Sequence, residues 1–191
     1  LVWLTLDRMR GWIGWLAWVG VAVAALYTQY FVGGSVVAIA NAIALLAVLR
    51  AWKADGRFPG GFAGRWVGAQ LVVLLLFAPW LALAWPAIRD WPALGPAVGA
   101  GFIAREGLTT FALGTRPLPA AMSWLPALLL LASAGLLVRG RDGGRWAAAV
   151  ALTYAVVPLA LMGVMSLTRP AWNPKFLIAG APGFELLAGA G

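Results

Sequence analysis

Five apolar stretches, each long enough to cross a bilayer or nearly so, follow one another along this chain with arginine-bearing segments between them. A run of ~18 or more apolar residues is the pattern of a membrane span. The predicted spans are about Trp12–Tyr27, Ser35–Leu49, Trp66–Trp85, Met122–Val138 and Trp146–Leu167. Leu1–Leu6 reads as the tail of an earlier span, and Phe176–Gly191 as the beginning of a sixth. The expected fold class is therefore all-α, a polytopic transmembrane helical bundle of about five complete spans with partial spans at both ends. Residues 1–191 read as a single transmembrane domain without internal repeats.

Composition supports the class and narrows the chemistry. The chain is 63% hydrophobic and only 10% charged, against ~25% charged residues in soluble domains. Its mean hydropathy is +0.89. Twelve Trp suit membrane boundaries, where an indole sits half in water. The net charge of +8 comes from cations placed between spans, which points to topology and anionic lipid rather than to nucleic acid. There are no Cys and no His, so disulfides, thiolate chemistry and the usual zinc sites are excluded. With six acidic residues, a carboxylate-bound divalent cation is possible but has no motif behind it, and no cofactor is expected. The first residue is Leu, and the last stands inside an apolar stretch; the chain reads as a fragment of a longer protein.

Orientation follows from the cations. By parity of crossings, segments 7–11, 50–65 and 139–145 share one face and hold nine of the 14 basic residues. Short basic loops mark the cytoplasmic face. Segments 28–34, 86–120 and 168–175 are then expected to face outward. Phe58-Pro59-Gly60-Gly61, Gly33-Gly34 and Gly143-Gly144 read as turns between spans. Pro79-Trp80 predicts a kink or an early end in the third span, and 98–113 a short helix lying at the interface.

The residues able to carry chemistry collect on the outward side. Tyr27-Thr28-Gln29-Tyr30 offers hydrogen bonds and ring faces to a phosphate or sugar; the same residues also suit an aromatic belt closing a helix. Arg169 and Lys175 flank a proline-stiffened turn, Arg169-Pro170-Ala171-Trp172-Asn173-Pro174-Lys175, and suit a phosphate clamp or simple snorkelling to the interface. Asp90 and Glu106 each follow an arginine and read more readily as solvated charge than as a general base. Glu185 stands two to three turns into the last apolar stretch, where a carboxylate is costly, and a cation elsewhere in the bundle is an expected partner. Asn41, in mid-span, is expected to make a helix–helix hydrogen bond. The sequence contains no phosphate-binding glycine loop, nucleophile elbow or metal-ligand cluster.

Three stretches, taken in order, carry a resemblance. Leu26-Tyr27-Thr28-Gln29-Tyr30-Phe31 joins two spans. Arg65-Trp66 opens a span that closes with Ala78-Pro79-Trp80-Leu81. Pro170-Ala171-Trp172-Asn173-Pro174-Lys175-Phe176-Leu177 leads into Ala181-Pro182-Gly183-Phe184 and an apolar tail. This resembles the middle-to-C-terminal membrane region of bacterial GT-C glycosyltransferases, of the dolichyl-phosphate-mannose-protein mannosyltransferase and aminoarabinose-transferase-like kind. Relatives often carry His at the place of Gln29 and an Arg-Tyr pair where this chain has Lys175-Phe176. Lys keeps the charge without the fork, and Phe lacks the hydroxyl.

The resemblance implies transfer of a sugar from a polyprenyl-phosphate carrier to an acceptor on the outer face of a bacterial inner membrane. Under it, Arg169 and Lys175 neutralise the carrier phosphate, and Tyr27, Gln29 and Tyr30 line the sugar or phosphate pocket. The catalytic Asp of such enzymes stands in an outer loop that would precede Leu1. Neither the donor sugar nor the acceptor is legible. Two other readings compete: a transporter or permease fragment, and a non-catalytic membrane subunit. Transporters tend to carry repeats and mid-membrane polar groups, whereas here the polar groups gather at span ends.

Overall fold

A computed structural model describes residues 11–90, 98–114, 119, 122–139, 142–168 and 172–190 of the chain. Among them there are helices and no strands. In order these are α1 (Trp12–Thr28), α2 (Tyr30–Asp55), α3 (Gly60–Arg89), α4 (Ala100–Leu113), α5 (Leu125–Arg139), α6 (Asp142–Thr168), a 3-10 segment (Pro174–Gly180) and α7 (Ala181–Ala190). Three helical stretches are long and apolar enough to cross a membrane: Tyr30–Asp55, Gly60–Arg89 and Gly144–Ser166. The first and fourth expected spans are shorter, with 17 residues in α1 and 15 in α5. The chain divides into two compact units, Leu1–Trp91 and Pro92–Gly191.

In the first unit α1 packs against both α2 and α3. A single residue, Gln29, separates α1 from α2. Its extended backbone (φ −155°, ψ 93°) reverses the chain, while its N–H donates to the Ala25 carbonyl (3.1 Å) and its own carbonyl accepts from Gly33 (2.7 Å). The turn thus keeps the ends of both helices hydrogen-bonded. The two helices then touch backbone to backbone. A Cβ on Gly33 would lie 2.5 Å from the carbonyl carbon and oxygen of Ala25 and 2.7 Å from the Leu26 nitrogen, distances that side-chain carbons do not reach. The core between α1 and α3 is small-to-large, with Val19, Ala22, Leu26, Ala69, Val73 and Phe77. The rest of α3 is bare: Val67, Leu71, Leu74, Leu75 and Leu83 are all more than half exposed, an apolar face that needs lipid or protein around it.

In the second unit α6 is the hub, in contact with α4, α5, the 3-10 segment and α7. Pro158, fully buried in α6, has no N–H to give to the carbonyl of Tyr154. The chain entering α7 comes against that place: a Cβ on Gly180 would lie 2.9 Å from the Tyr154 oxygen and 2.5 Å from the Phe111 ring. One turn later a Cβ on Gly183 would lie 2.5 Å from the Ala151 oxygen. Leu177 and Leu187 are fully buried in the resulting core with Ile103, Phe111, Met162 and Phe184.

Several expected boundaries move, for one reason. The basic segment 50–65 is mostly helix, and only Gly56–Pro59 connects α2 to α3. Gly56 closes α2 in the left-handed region (φ 64°), its N–H donating to Trp52 (2.9 Å). The change from apolar to basic residues marks a change of surroundings, not the end of hydrogen bonding, so the helices run on past it. Gly33-Gly34 and Gly143-Gly144 are likewise inside α2 and α6, where Gly33 and Gly144 serve close approach instead of turning the chain. Segment 28–34 reduces to Gln29, helix α6 reaches Thr168, and α3 continues through both Pro79 and Pro86. The last apolar stretch is a 3-10 segment followed by a ten-residue helix. Segment 7–11, apart from Gly11, and the Leu1–Leu6 tail lie outside the described residues.

Gly33 and Gly34 are adjacent but not equivalent, since a Cβ on Gly34 meets nothing within 4 Å. Gly33→Val is therefore expected to destabilise the protein by ~2 kcal/mol or more through overpacking, while Gly34→Val stays near wild type. Thermal unfolding of both variants in the same detergent checks the contrast.

Candidate functional site

The two sequence clusters stand in different units and differ in how much of their chemistry remains open. In the first, the α1–α2 turn and the proline-bearing part of α3 build an aromatic cluster. The Tyr27 ring meets Phe77 edge-on (5.7 Å) and Trp80 (6.5 Å), Tyr30 lies against Trp80 (5.2 Å) and Phe31 (4.5 Å), and Phe77 stacks on Trp80 (5.0 Å). Pro79 cannot donate to the carbonyl of Leu75, which loosens this turn of α3. The Tyr27 hydroxyl donates to the neighbouring carbonyl of Leu76 (2.9 Å). Thr28 turns its hydroxyl back to Ala24 and Ala25 (2.9 and 3.0 Å). The polar atoms of Tyr27 and Thr28 are thus engaged within the helices, and Gln29 is exposed at the turn.

The opposite end of the same helices carries a second aromatic group. Trp66 lies between Trp15 (6.1 Å) and Trp18 (5.3 Å, stacked) and near Phe62 (6.2 Å). Its indole N–H donates to Asn41 Oδ1 (2.8 Å), so Asn41 makes a helix–helix hydrogen bond between α2 and α3. From Phe62 to Trp80 α3 rises ~27 Å, close to the ~30 Å of bilayer hydrocarbon. The two aromatic groups have the spacing of a pair of membrane belts.

In the second unit α4 runs alongside the chain from Trp172 to α7. Phe102 meets Trp172 edge-on (5.3 Å). Gly107 faces Leu159 and Leu177, and Phe111 faces Gly180 and Phe184 (6.4 Å). This register brings Arg105 and Glu106 to the same stretch of the unit as Trp172–Lys175. Arg105 pairs with Glu106 (Nε–Oε1 3.2 Å), both about one-third exposed, and holds its guanidinium 5.9 Å from the centre of the Phe102 ring. Thr109 and Thr110 donate to the carbonyls of Arg105 and Glu106 (2.8 and 2.7 Å). Asn173 starts the 3-10 segment: its side chain accepts from the Lys175 N–H (3.1 Å) and its carbonyl from Phe176 (3.0 Å). The backbone of Lys175 is held by this cap while its side chain is exposed.

The remaining sequence candidates divide cleanly. Arg169 lies outside the described residues. Asp90 pairs with Arg89 (2.9 Å) at the exposed end of α3, with both side chains about two-thirds exposed, which is solvated charge. Glu185 is exposed on α7, and the cation expected beside it is not there among the described residues. No group of three His, Cys, Asp or Glu assembles among the described residues. What sequence reasoning missed is the Phe102–Arg105–Trp172 arrangement. Its two halves are far apart in the chain, and Trp172 between prolines was the only local signal.

Comparison of the chain with protein-family models, curated proteins and solved structures finds no match.

Loss of the Tyr27 hydroxyl in Tyr27→Phe is expected to cost about 1 kcal/mol while leaving the aromatic cluster packed. Unfolding in detergent measures the cost. Hydrogen exchange near Leu76 is expected to rise, because that carbonyl loses its outside donor.

Proposed function

We propose that the chain is the carrier-binding part of a membrane glycosyltransferase that moves a sugar from a polyprenyl phosphate to an acceptor on the outer face. The reading takes α1 and α5 as crossings too, which gives five spans. It places the cytoplasmic face at Arg50–Arg65 and Arg139–Arg145.

One observation carries it. Lys175 is exposed on a stiff, capped turn directly after the span α6, beside an amphipathic helix that presents Arg105, Glu106 and the Phe102–Trp172 ring pair. An ammonium ion carried on a fixed backbone at the membrane surface suits a phosphate held at the end of a lipid tail. In the transfer the sugar's anomeric bond to the phosphate oxygen breaks, and the electron pair stays on the phosphate. Negative charge therefore grows on the leaving group, and a cation close to it stabilises that charge. Arg169, six residues before Lys175, is assigned to the same phosphate from the sequence. The general base is assigned to no described residue. Tyr27 and Tyr30 contribute less to this reading, since the Tyr27 hydroxyl and both rings are engaged in packing. The transporter reading loses one mid-span polar group, because Asn41 is bound to Trp66.

The test is transfer by the full-length enzyme from a polyprenyl-phosphate sugar. Lys175→Ala is expected to lower turnover by about 10²-fold, and Lys175→Arg to retain most of it. Arg169→Ala is expected to behave like Lys175→Ala. Wild-type turnover in both alanine variants would remove the phosphate clamp from consideration.

A further inference from the structure

The turn that carries Lys175 is tied down on both sides. Trp172, before it in the chain, lies edge-on against Phe102 of α4 (5.3 Å). Leu177, after it, is fully buried in the core of the unit. Between these anchors Asn173 has extended backbone (φ −147°, ψ 114°), the conformation that a following proline favours. Pro174 then opens the 3-10 segment with its φ already set. Asn173 closes the turn twice over: its side-chain oxygen accepts from the Lys175 N–H (3.1 Å), and its carbonyl accepts from the Phe176 N–H (3.0 Å).

This geometry does not by itself require Asn. Asp and Ser cap a helical turn about as well, because each offers an acceptor oxygen at the same place. The N–H groups at the start of such a turn favour a negative cap over a neutral one. What separates Asn and Ser from Asp is therefore charge. A carboxylate at position 173 would stand beside the Lys175 ammonium ion, attract it, and repel an anion approaching it. Glu106, the carboxylate that the register of α4 brings to this stretch, is paired with Arg105 (3.2 Å).

We propose that Asn173 is a positioning residue for an anion: a neutral cap that fixes the backbone of Lys175 and adds no negative charge beside its ammonium ion. The anion is the phosphate of a polyprenyl carrier, so the inference rests on the phosphate reading of Lys175. It goes further in making that site sensitive to the charge of the cap and not only to its hydrogen bond.

The full-length protein in detergent is titrated with polyprenyl phosphate and with polyprenol of the same chain length, so that the ratio of the two affinities reports the phosphate alone. Thermal unfolding is followed on the same samples. Asn173→Ser, the conservative cap, is expected to keep the ratio. Asn173→Asp is expected to unfold at the wild-type temperature and to lower the ratio about tenfold. In transfer assays it is expected to raise KM for the carrier-linked sugar more than it lowers kcat. A purely structural cap gives the opposite pattern, with Asp and Ser alike. A loss in Ser as large as in Asp also overturns the proposal, since the site then needs the amide itself. Lys175→Ala separates this proposal from the reading beneath it. If Lys175→Ala abolishes the ratio while Asn173→Asp matches wild type, the neutral cap is overturned and the phosphate reading stands. If Lys175→Ala leaves the ratio unchanged, the phosphate reading falls and the neutral cap falls with it.

Discussion

Every backbone N–H and C=O that enters hydrocarbon must find its partner inside the protein, and the structure depends on that requirement. It makes the described chain helical throughout, because a helix satisfies its own backbone. It also explains why α2 and α3 run on through their charged ends, with only four residues between them. Ending a helix exposes orphan groups, and the chain does so at points where a specific partner is ready: the Gln29 turn, the left-handed Gly56, and the Asn173 cap.

At two interior prolines that break the helical ladder, Pro79 and Pro158, a neighbouring element comes in. Pro79 deprives the Leu75 carbonyl of its donor, and Tyr27 bonds the next carbonyl along. Pro158 deprives that of Tyr154, and Gly180 packs against it. Both units thus anchor a second element near a proline in one of their long apolar helices. Lipid supplies no hydrophobic force between helices, so close approach must come from small residues. Gly33, Gly180 and Gly183 provide it, each at a spot where a single methyl group would collide with backbone.

The same constraint sorts the polar residues. Asn41 and Trp66 satisfy each other across α2 and α3. Arg105 and Glu106 pair on a short amphipathic helix, and Arg89 and Asp90 at an exposed helix end. Glu185 is an exposed carboxylate outside these pairs, and Lys175 an exposed cation whose backbone a capped turn holds. The phosphate reading rests on the exposed Lys175 beside Asn173.

Much of this was legible without coordinates. Apolar run length alone determined helical class and the approximate centres of the apolar helices, because hydrocarbon thickness and helical rise leave few alternatives; three of the five expected spans are long enough to cross a membrane. The short helix over 98–113, the helix–helix role of Asn41 and the solvated pair at Asp90 were readable for similarly local reasons. What only the tertiary structure decided were contacts between residues distant in the chain. Gly33-Gly34 has the composition of a turn, and only the arrival of α1 shows that one glycine of the two is needed for packing. Tyr27 reads as an open hydroxyl until the Leu76 carbonyl of another helix is seen beside it. The depth of Glu185 depends on where α7 meets α6. Local sequence specifies what a segment can satisfy by itself; which groups remain unsatisfied is known only once the neighbours are in place.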